Sequence, residues 1–277
     1  MNSVYSSGGA RLAFSDFGEG LPVVFLHPTP VDREFWFPLI SELAGVRAIV
    51  PDLRGHGVSE LGRDLPQGGF VRVIEAPVLT VAQLARDILA LLDHLDLSTA
   101  VFAGCSIGGY VLLELWRQAP ERMSGLAFVC SKPQPDAEAN LAKRAQTIAQ
   151  ARAGESASLF DGMSETLIGA SARRRRPGIV SEVRARMTLT EEALVAVQAG
   201  LATRADSLPT VATITVPVLA IAGGEDPAVS PVEMEAFRDA PGGCQMHLLA
   251  DAGHFAAYEQ PGRVADLIAN WLRKFKS

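Results

Sequence analysis

Short apolar runs alternate along the chain with stretches of helical period. Leu21–Leu26 (LPVVFL) is apolar throughout, as in a strand covered on both faces. Ala48–Val50, ended by Pro51, is a second such run, and Arg11–Phe17 reads as an earlier strand. From about Val81 to Leu95 the apolar residues fall at steps of three and four: Val81, Leu84, Ile88, Leu91, Leu92 and Leu95. That spacing makes one stripe of an amphipathic helix, with Thr80 as its N-cap. Thr99–Ala103 then predicts a strand, Ile107–Gln118 a helix and Leu126–Cys130 a strand. Val216–Ala222 and Gln245–Leu249 predict two more strands, Pro231 opens a helix between them, and Pro261–Phe275 predicts a closing amphipathic helix. Strands separated by helices imply β-α-β units, hence an α/β fold: a mostly parallel sheet with helices on both faces.

One stretch breaks this alternation. Residues 134–210 have helical composition (LAKRAQTIAQARA, TEEALVAVQAGLA) and no convincing strand. The expected organisation is a core of residues 1–133 and 211–277, with 134–210 inserted as a helical cap over one end of the sheet. Leu61–Val78, containing PQGG, is too long for a simple connection and reads as an irregular loop of the kind that is functional or mobile.

Composition narrows the possibilities. The 277 residues are 48% hydrophobic and 20% charged, which is globular, and the net charge is −6. An acidic chain offers nucleic acid no basic surface. No apolar run approaches the roughly 20 residues of a membrane span, and the N-terminal stretch has no signal-peptide pattern. Three cysteines, Cys105, Cys130 and Cys244, form neither a disulfide framework nor a zinc pattern. The expectation is a cytoplasmic protein with reduced thiols, no metal and no cofactor; oligomeric state is left open.

The chemistry lies at the strand–helix junctions. Gly104-Cys105-Ser106-Ile107-Gly108 fits G-x-S-x-G, follows the strand TAVFA and opens the helix IGGYVLLELW. That context is a nucleophile elbow, in which glycines let the backbone turn sharply beneath an exposed serine. A serine hydroxyl needs a base. Of five histidines, His254 follows the last strand in the small loop DAGHF and stands last in chain order, as the Ser…Asp…His order requires. The orienting acid is expected after the preceding strand, where Glu225 and Asp226 both qualify; Asp226 is favoured, with Asp251 a rival too close in sequence to His254. The oxyanion calls for two backbone N–H donors. Ile107 supplies one. In His27-Pro28-Thr29-Pro30 the prolines have none, so Thr29 supplies the other.

On these motifs the chain resembles the α/β-hydrolases, in particular the esterase and 3-oxoadipate enol-lactonase group, over nearly its whole length. His27-Pro28-Thr29-Pro30 is similar to that family's H-G-x-P segment, with Pro28 in place of glycine. Asp32 and Trp36 match the residues that follow it. Pro51-Asp52-Leu53-Arg54-Gly55-His56-Gly57-Val58-Ser59 resembles its P-D-x-R-G-x-G-x-S loop. The resemblance implies a triad of Ser106, Asp226 and His254. Trp36, and Cys105 beside the nucleophile, are expected to contact substrate. Ser106 sets aside relatives with aspartate or cysteine at the elbow.

The expected function is hydrolysis of a small-molecule ester or lactone through an acyl-enzyme. A slow-turnover receptor, a carbon–carbon bond hydrolase and a perhydrolase are the alternatives on the same fold. Basic residues slightly outnumber acidic ones in 134–210, and Arg173–Arg176 are consecutive. One expectation is that these arginines grip a substrate carboxylate; the other is that they form a solvated turn.

Overall fold

The computed structural model describes residues 3–63, 65–70 and 74–275. Ten strands are present among them: β1 (Ser3–Ser7), β2 (Ala10–Phe17), β3 (Leu21–Leu26), β4 (Val46–Pro51), β5 (Gln67–Phe70), β6 (Ile74–Pro77), β7 (Ala100–Cys105), β8 (Met123–Val129), β9 (Val218–Gly223) and β10 (Cys244–Leu249). Eight form one sheet in the order β1-β2-β4-β3-β7-β8-β9-β10. The β1–β2 and β2–β4 pairs are antiparallel and all others in that sheet are parallel. Every residue of β7 and of β9 is buried, which is why those segments are apolar without alternation.

The helices follow from the same pattern. Val81–His94 buries Val81, Leu84, Ile88, Leu91 and Leu92, and Thr80 caps it by accepting from Gln83 N–H at 3.1 Å. Ile107–Gln118 begins one residue after β7, and Pro261–Leu272 closes the fold, burying Val264, Ile268 and Trp271. Six helices, from Glu138–Arg152 to Leu208–Val211, lie between β8 and β9, with no strand among them. One of these, Glu191–Ala202, presses on the chain before Val81. Leu79 N–H donates to Ala196 O at 3.0 Å, and a Cβ on Gly200 would lie 1.7 Å from Leu79 O.

Two elements depart from expectation. The 61–78 stretch contains the antiparallel β5–β6 pair; Gly68-Gly69 hid it, because glycine carries no strand preference. The edge strand β1 (SVYSS) is too polar to stand out. Strand starts also shift by up to three residues, as at Met123, where Ser124 and Gly125 interrupt the apolar run.

The P-D-x-R-G-x-G-x-S loop after β4 is largely a buried polar scaffold. Asp52 accepts from the N–H groups of Arg33 (2.8 Å) and Val58 (3.0 Å) and pairs with the Arg33 guanidinium. Ser59 Oγ accepts from Ala13 N–H at 2.9 Å and donates to Asp52 O. Arg54 donates to both carboxylate oxygens of Asp87 at 2.8 and 2.6 Å and to Ser7 O at 2.8 Å, tying this loop to β1 and to the helix Val81–His94. Both side chains of that pair are 2% exposed. Removing one partner leaves the other charge buried and unmatched, so Asp87→Ala should cost roughly 3–5 kcal/mol. Urea unfolding of the variant beside the parent measures this, and a loss below about 1 kcal/mol would contradict it.

Candidate active site

The backbone between β7 and the following helix turns on one residue. Ser106 has φ 51° and ψ −114°, a conformation that L-residues rarely adopt. Space explains the flanking glycines. A Cβ on Gly104 would lie 2.5 Å from the Gly108 carbonyl carbon, and one on Gly108 would lie 2.3 Å from Leu26 O of β3. The turn raises Ser106 to the C-terminal edge of the sheet, at the floor of a cavity of about 470 Å³ that Thr29, Ile107 and His254 also line. A more open hollow of about 630 Å³ beside Trp116 and Thr213 brings no serine and histidine together. Ile107 is the first residue of the helix, where amides have no intrahelical acceptor and the dipole favours negative charge.

His254 reaches the cavity from the end of β10, and Asp226, after β9, is buried behind it. Nδ1 of His254 lies 2.8 Å from Oδ2 of Asp226. The carboxylate fixes the proton on Nδ1, which leaves Nε2 as an acceptor. Asp226 Oδ1 also accepts from the N–H groups of Ala228 (2.8 Å) and Val229 (3.0 Å). Burial alone would raise this carboxyl; the adjacent His254 and the three donors outweigh it and hold the group below its ordinary range. The other two carboxylates are engaged elsewhere. Glu225 accepts from Ser171 N–H at 2.8 Å, and half-buried Asp251 meets Arg175, Gln260 and Arg263.

A line of neutral histidines backs the Thr29 segment. His56 Nδ1 lies 3.0 Å from Arg54 O, so it carries the proton, and Nε2 then accepts from the Thr29 hydroxyl at 3.0 Å. His27 Nε2 accepts from Leu53 N–H at 2.9 Å, so its Nδ1–H donates to Pro28 O at 2.9 Å. Burial lowers His27 to about 4, with the Arg33 charge assisting; burial and then the His27 ring lower His56 to about 3.

Two expected substrate contacts are corrected. Trp36 is fully buried against Phe25 and Phe35, and Cys105 is fully buried with Sγ 3.7 Å from His254 O. Neither lines the cavity. The arginine run is also displaced from its expected role as a carboxylate grip. Arg173 donates to Glu165 O, Arg174 to Ser171 Oγ, Arg175 to Asp251 and Arg176 to Tyr258 O, all outside the cavity. Other cations are there instead. Lys132, after β8, lines the cavity, as do Asn140, Lys143, Arg144 and Thr147 of the helix Glu138–Arg152. Those last four stand at i, i+3, i+4 and i+7, one face of a helix. Polar residues at that spacing read in sequence as a solvent-facing stripe, so only the fold reveals them.

The alpha/beta hydrolase family model matches residues 23–267. The chain belongs to that family. Among solved structures it is similar to a thermophilic esterase from Thermogutta terrifontis (malate bound), at 32% identity and TM-score 0.89 with all of both chains covered. The enol-lactonase from Burkholderia xenovorans LB400 shares the fold, with TM-score 0.85 at 23% identity over 98% of this chain and 100% of that one. Among curated proteins, 3-oxoadipate enol-lactonase 1 from Acinetobacter baylyi is 24% identical over 92% of this chain and 89% of its own length. Other curated relatives match partially: the chain spans 31% to 45% of the length of three of them. No helix of the described residues is long and apolar enough to cross a membrane.

The two neutral histidines make stability pH-dependent. In the unfolded chain each titrates near 6.5, and in the fold at about 4 and about 3. Between those values the unfolded chain binds protons that the fold refuses. Stability is therefore complete above about pH 6.5 and is lost as pH falls toward 4, by on the order of a few kcal/mol. Urea midpoints at pH 7 and 4.5 should show the loss, and His56→Asn should reduce it; an equal loss in parent and variant would contradict this origin.

Proposed function

We propose that this chain is a serine hydrolase of carboxylic esters or lactones, with Ser106 as nucleophile, His254 as base and Asp226 as orienting acid. The observation that carries this reading is the 2.8 Å His254–Asp226 bond at the wall of the cavity whose floor is the strained Ser106. Ser106 Oγ attacks the carbonyl carbon as His254 Nε2 takes its proton. Thr29 and Ile107 N–H groups stabilise the oxyanion. The imidazolium, favoured by Asp226, gives that proton to the leaving alkoxide as the ester bond breaks. Water, activated by the same histidine, then releases the acid from the acyl-enzyme. The esterase and enol-lactonase relatives support an ester bond as the target. The helices between β8 and β9 act as the cap, supplying the upper wall of the cavity. The free thiols Cys105, Cys130 and Cys244 suit a reducing cytoplasm.

The cap wall favours an anionic substrate. Asp136 is shared by Arg144 and Arg204, and Lys132 pairs with Glu233. Arg144 also donates to Gln198 Oε1 at 2.9 Å. Cations thus outnumber carboxylates around the upper cavity, and Lys143 has no carboxylate beside it among the described residues. An ester with a remote carboxylate should therefore have a lower KM than its neutral methyl ester. Lys143→Gln should erase much of that difference, on the order of tenfold for one lost charge-assisted contact. The pair of substrates assayed on both proteins decides this; an unchanged ratio would place the selectivity elsewhere.

The reading itself is tested with a chromogenic short-chain ester. Ser106→Ala should reduce kcat by on the order of 10⁶-fold while leaving the melting temperature intact. Asp226→Asn should cost on the order of 10⁴-fold, against little for Asp251→Asn. A tenth of parental activity in Ser106→Ala, or equal losses in the two aspartate variants, would defeat the assignment. One equivalent of product and then a stop in the parent would instead mark a receptor.

A further inference from the structure

The loop that carries His254 is gripped by a carboxylate that none of the steps above uses. Glu259 lies in the short helix Ala256–Glu259 and turns back on the loop. Its Oε2 accepts from Gly253 N–H at 2.7 Å and its Oε1 from Phe255 N–H at 3.2 Å, the two amides on either side of the histidine. The amide of His254 itself donates to Leu167 O at 2.8 Å. Two buried thiols hold the same loop from below, Cys130 Sγ at 3.6 Å from Gly253 O and Cys105 Sγ at 3.7 Å from His254 O. Each backbone N–H and C=O from Gly253 N–H to Phe255 N–H therefore has a partner.

The same carboxylate holds part of the helical insertion. Gly169 N–H donates to Glu259 Oε2 at 3.2 Å. Two residues on, Ser171 donates its N–H and hydroxyl to Glu225, beside Asp226. The contact leaves no room for a side chain. A Cβ on Gly169 would lie 2.7 Å from Gly253 N and 2.9 Å from Glu259 Oε2; one on Gly253 would lie 2.3 Å from Gly169 N. Glu259 is 8% exposed, and the groups hydrogen-bonded to its carboxylate are the three backbone donors of Gly169, Gly253 and Phe255. Burial raises the carboxyl above its ordinary value, against the pull of those three amides and of His254.

We propose that Glu259 is a positioning residue for His254, and that the segment 167–169 docks onto the same carboxylate, so that seating of the insertion and placement of the base are one event. This rests on His254 being the base. The cavity wall is tied to the histidine, because Leu167 both lines the cavity and accepts the His254 amide. A displacement of about 1 Å in a reacting group costs on the order of 100-fold in rate, so a backbone clamp here is felt in kcat.

The test uses the full chain, a chromogenic short-chain ester, and an NMR titration of the His254 ring that needs no turnover. Glu259→Gln should lower kcat by about ten- to a hundredfold with KM changed by less than about threefold. It should also move the acid limb of the rate profile and the His254 titration to lower pH, because a negative charge near the imidazolium is gone. The other charges around the ring stay in place: Asp226 on Nδ1, Glu225 beside it, Lys132 at the cavity, and Asp251 with Arg175 and Arg263 at the start of the loop; the Cys105 and Cys130 thiols below are neutral. Glu259→Asp keeps the charge and should restore the acid limb. Gly169→Ala, whose methyl group would lie 2.7 Å from Gly253 N, should also lower kcat, because it displaces the same loop. A fall in melting temperature with kcat per folded molecule and the His254 titration both unmoved would overturn the proposal. Should Glu259→Gln not fold, unchanged kcat in both Glu259→Asp and Gly169→Ala would overturn it. If the parent hydrolyses no ester, the reading of the function fails by itself, and an unshifted His254 titration in Glu259→Gln decides against the clamp separately.

Discussion

Ser106 sits at φ 51° and ψ −114°, and a residue held in such a region costs about 1–3 kcal/mol. The surrounding fold supplies the constraint. Gly108 passes so close to Leu26 O that a methyl group would collide, and the Ser106 N–H donates to Val129 O of the neighbouring strand at 3.1 Å. β7 is flanked by β3 and β8 in the sheet, so the elbow cannot relax without separating parallel strands that are buried on both faces. Everything else at the site is arranged around that fixed point. The Thr29 segment leaves β3, Lys132 follows β8, Asp226 follows β9 and His254 follows β10, all at the same edge of one sheet.

Much of this was legible because the relevant signals are local. A β-branched run, a glycine two residues on each side of a serine, and a histidine after the last strand can all be read from neighbouring letters. The His254–Asp226 pair follows from chain position alone, whereas the engagement of Glu225 by Ser171, a residue far away in sequence, does not. What could not be read depends on how distant segments meet. Trp36 and Cys105 sit next to chemistry along the chain yet pack into the core. Arg173–Arg176 draw the eye as a charge run, but their partners are the carbonyls of Glu165 and Tyr258, the Ser171 hydroxyl and Asp251, outside the cavity. The polar stripe Asn140, Lys143, Arg144 and Thr147 looks like a wet helix face until the insertion folds back over the sheet edge.

The loop after β4 shows how a family signature and a site differ. Asp52, Arg54 and Ser59 spend their polarity on backbone amides, on each other's carbonyls and on partner charges. They hold β1, β2 and the helix Val81–His94 in register. His56 alone in that loop reaches toward the cavity, and only through the Thr29 hydroxyl. Its neutrality matters for that reason: a protonated ring would have no lone pair on Nε2 for Thr29 to donate to.

The order of strands in the sheet also sets an order in time. The elbow and its neighbours β3, β4 and β8 are all translated before the insertion, whereas 149 residues separate Cys105 from His254. At ribosomal speeds of about 5–20 residues per second, Ser106 emerges on the order of ten seconds before His254. On the proposed mechanism, a nascent chain in that interval carries its serine without the base that would activate it. On the proposed mechanism the base arrives only with the pairing of β10 onto β9 at the edge of the sheet, so that activity would report that the last strand has found its place.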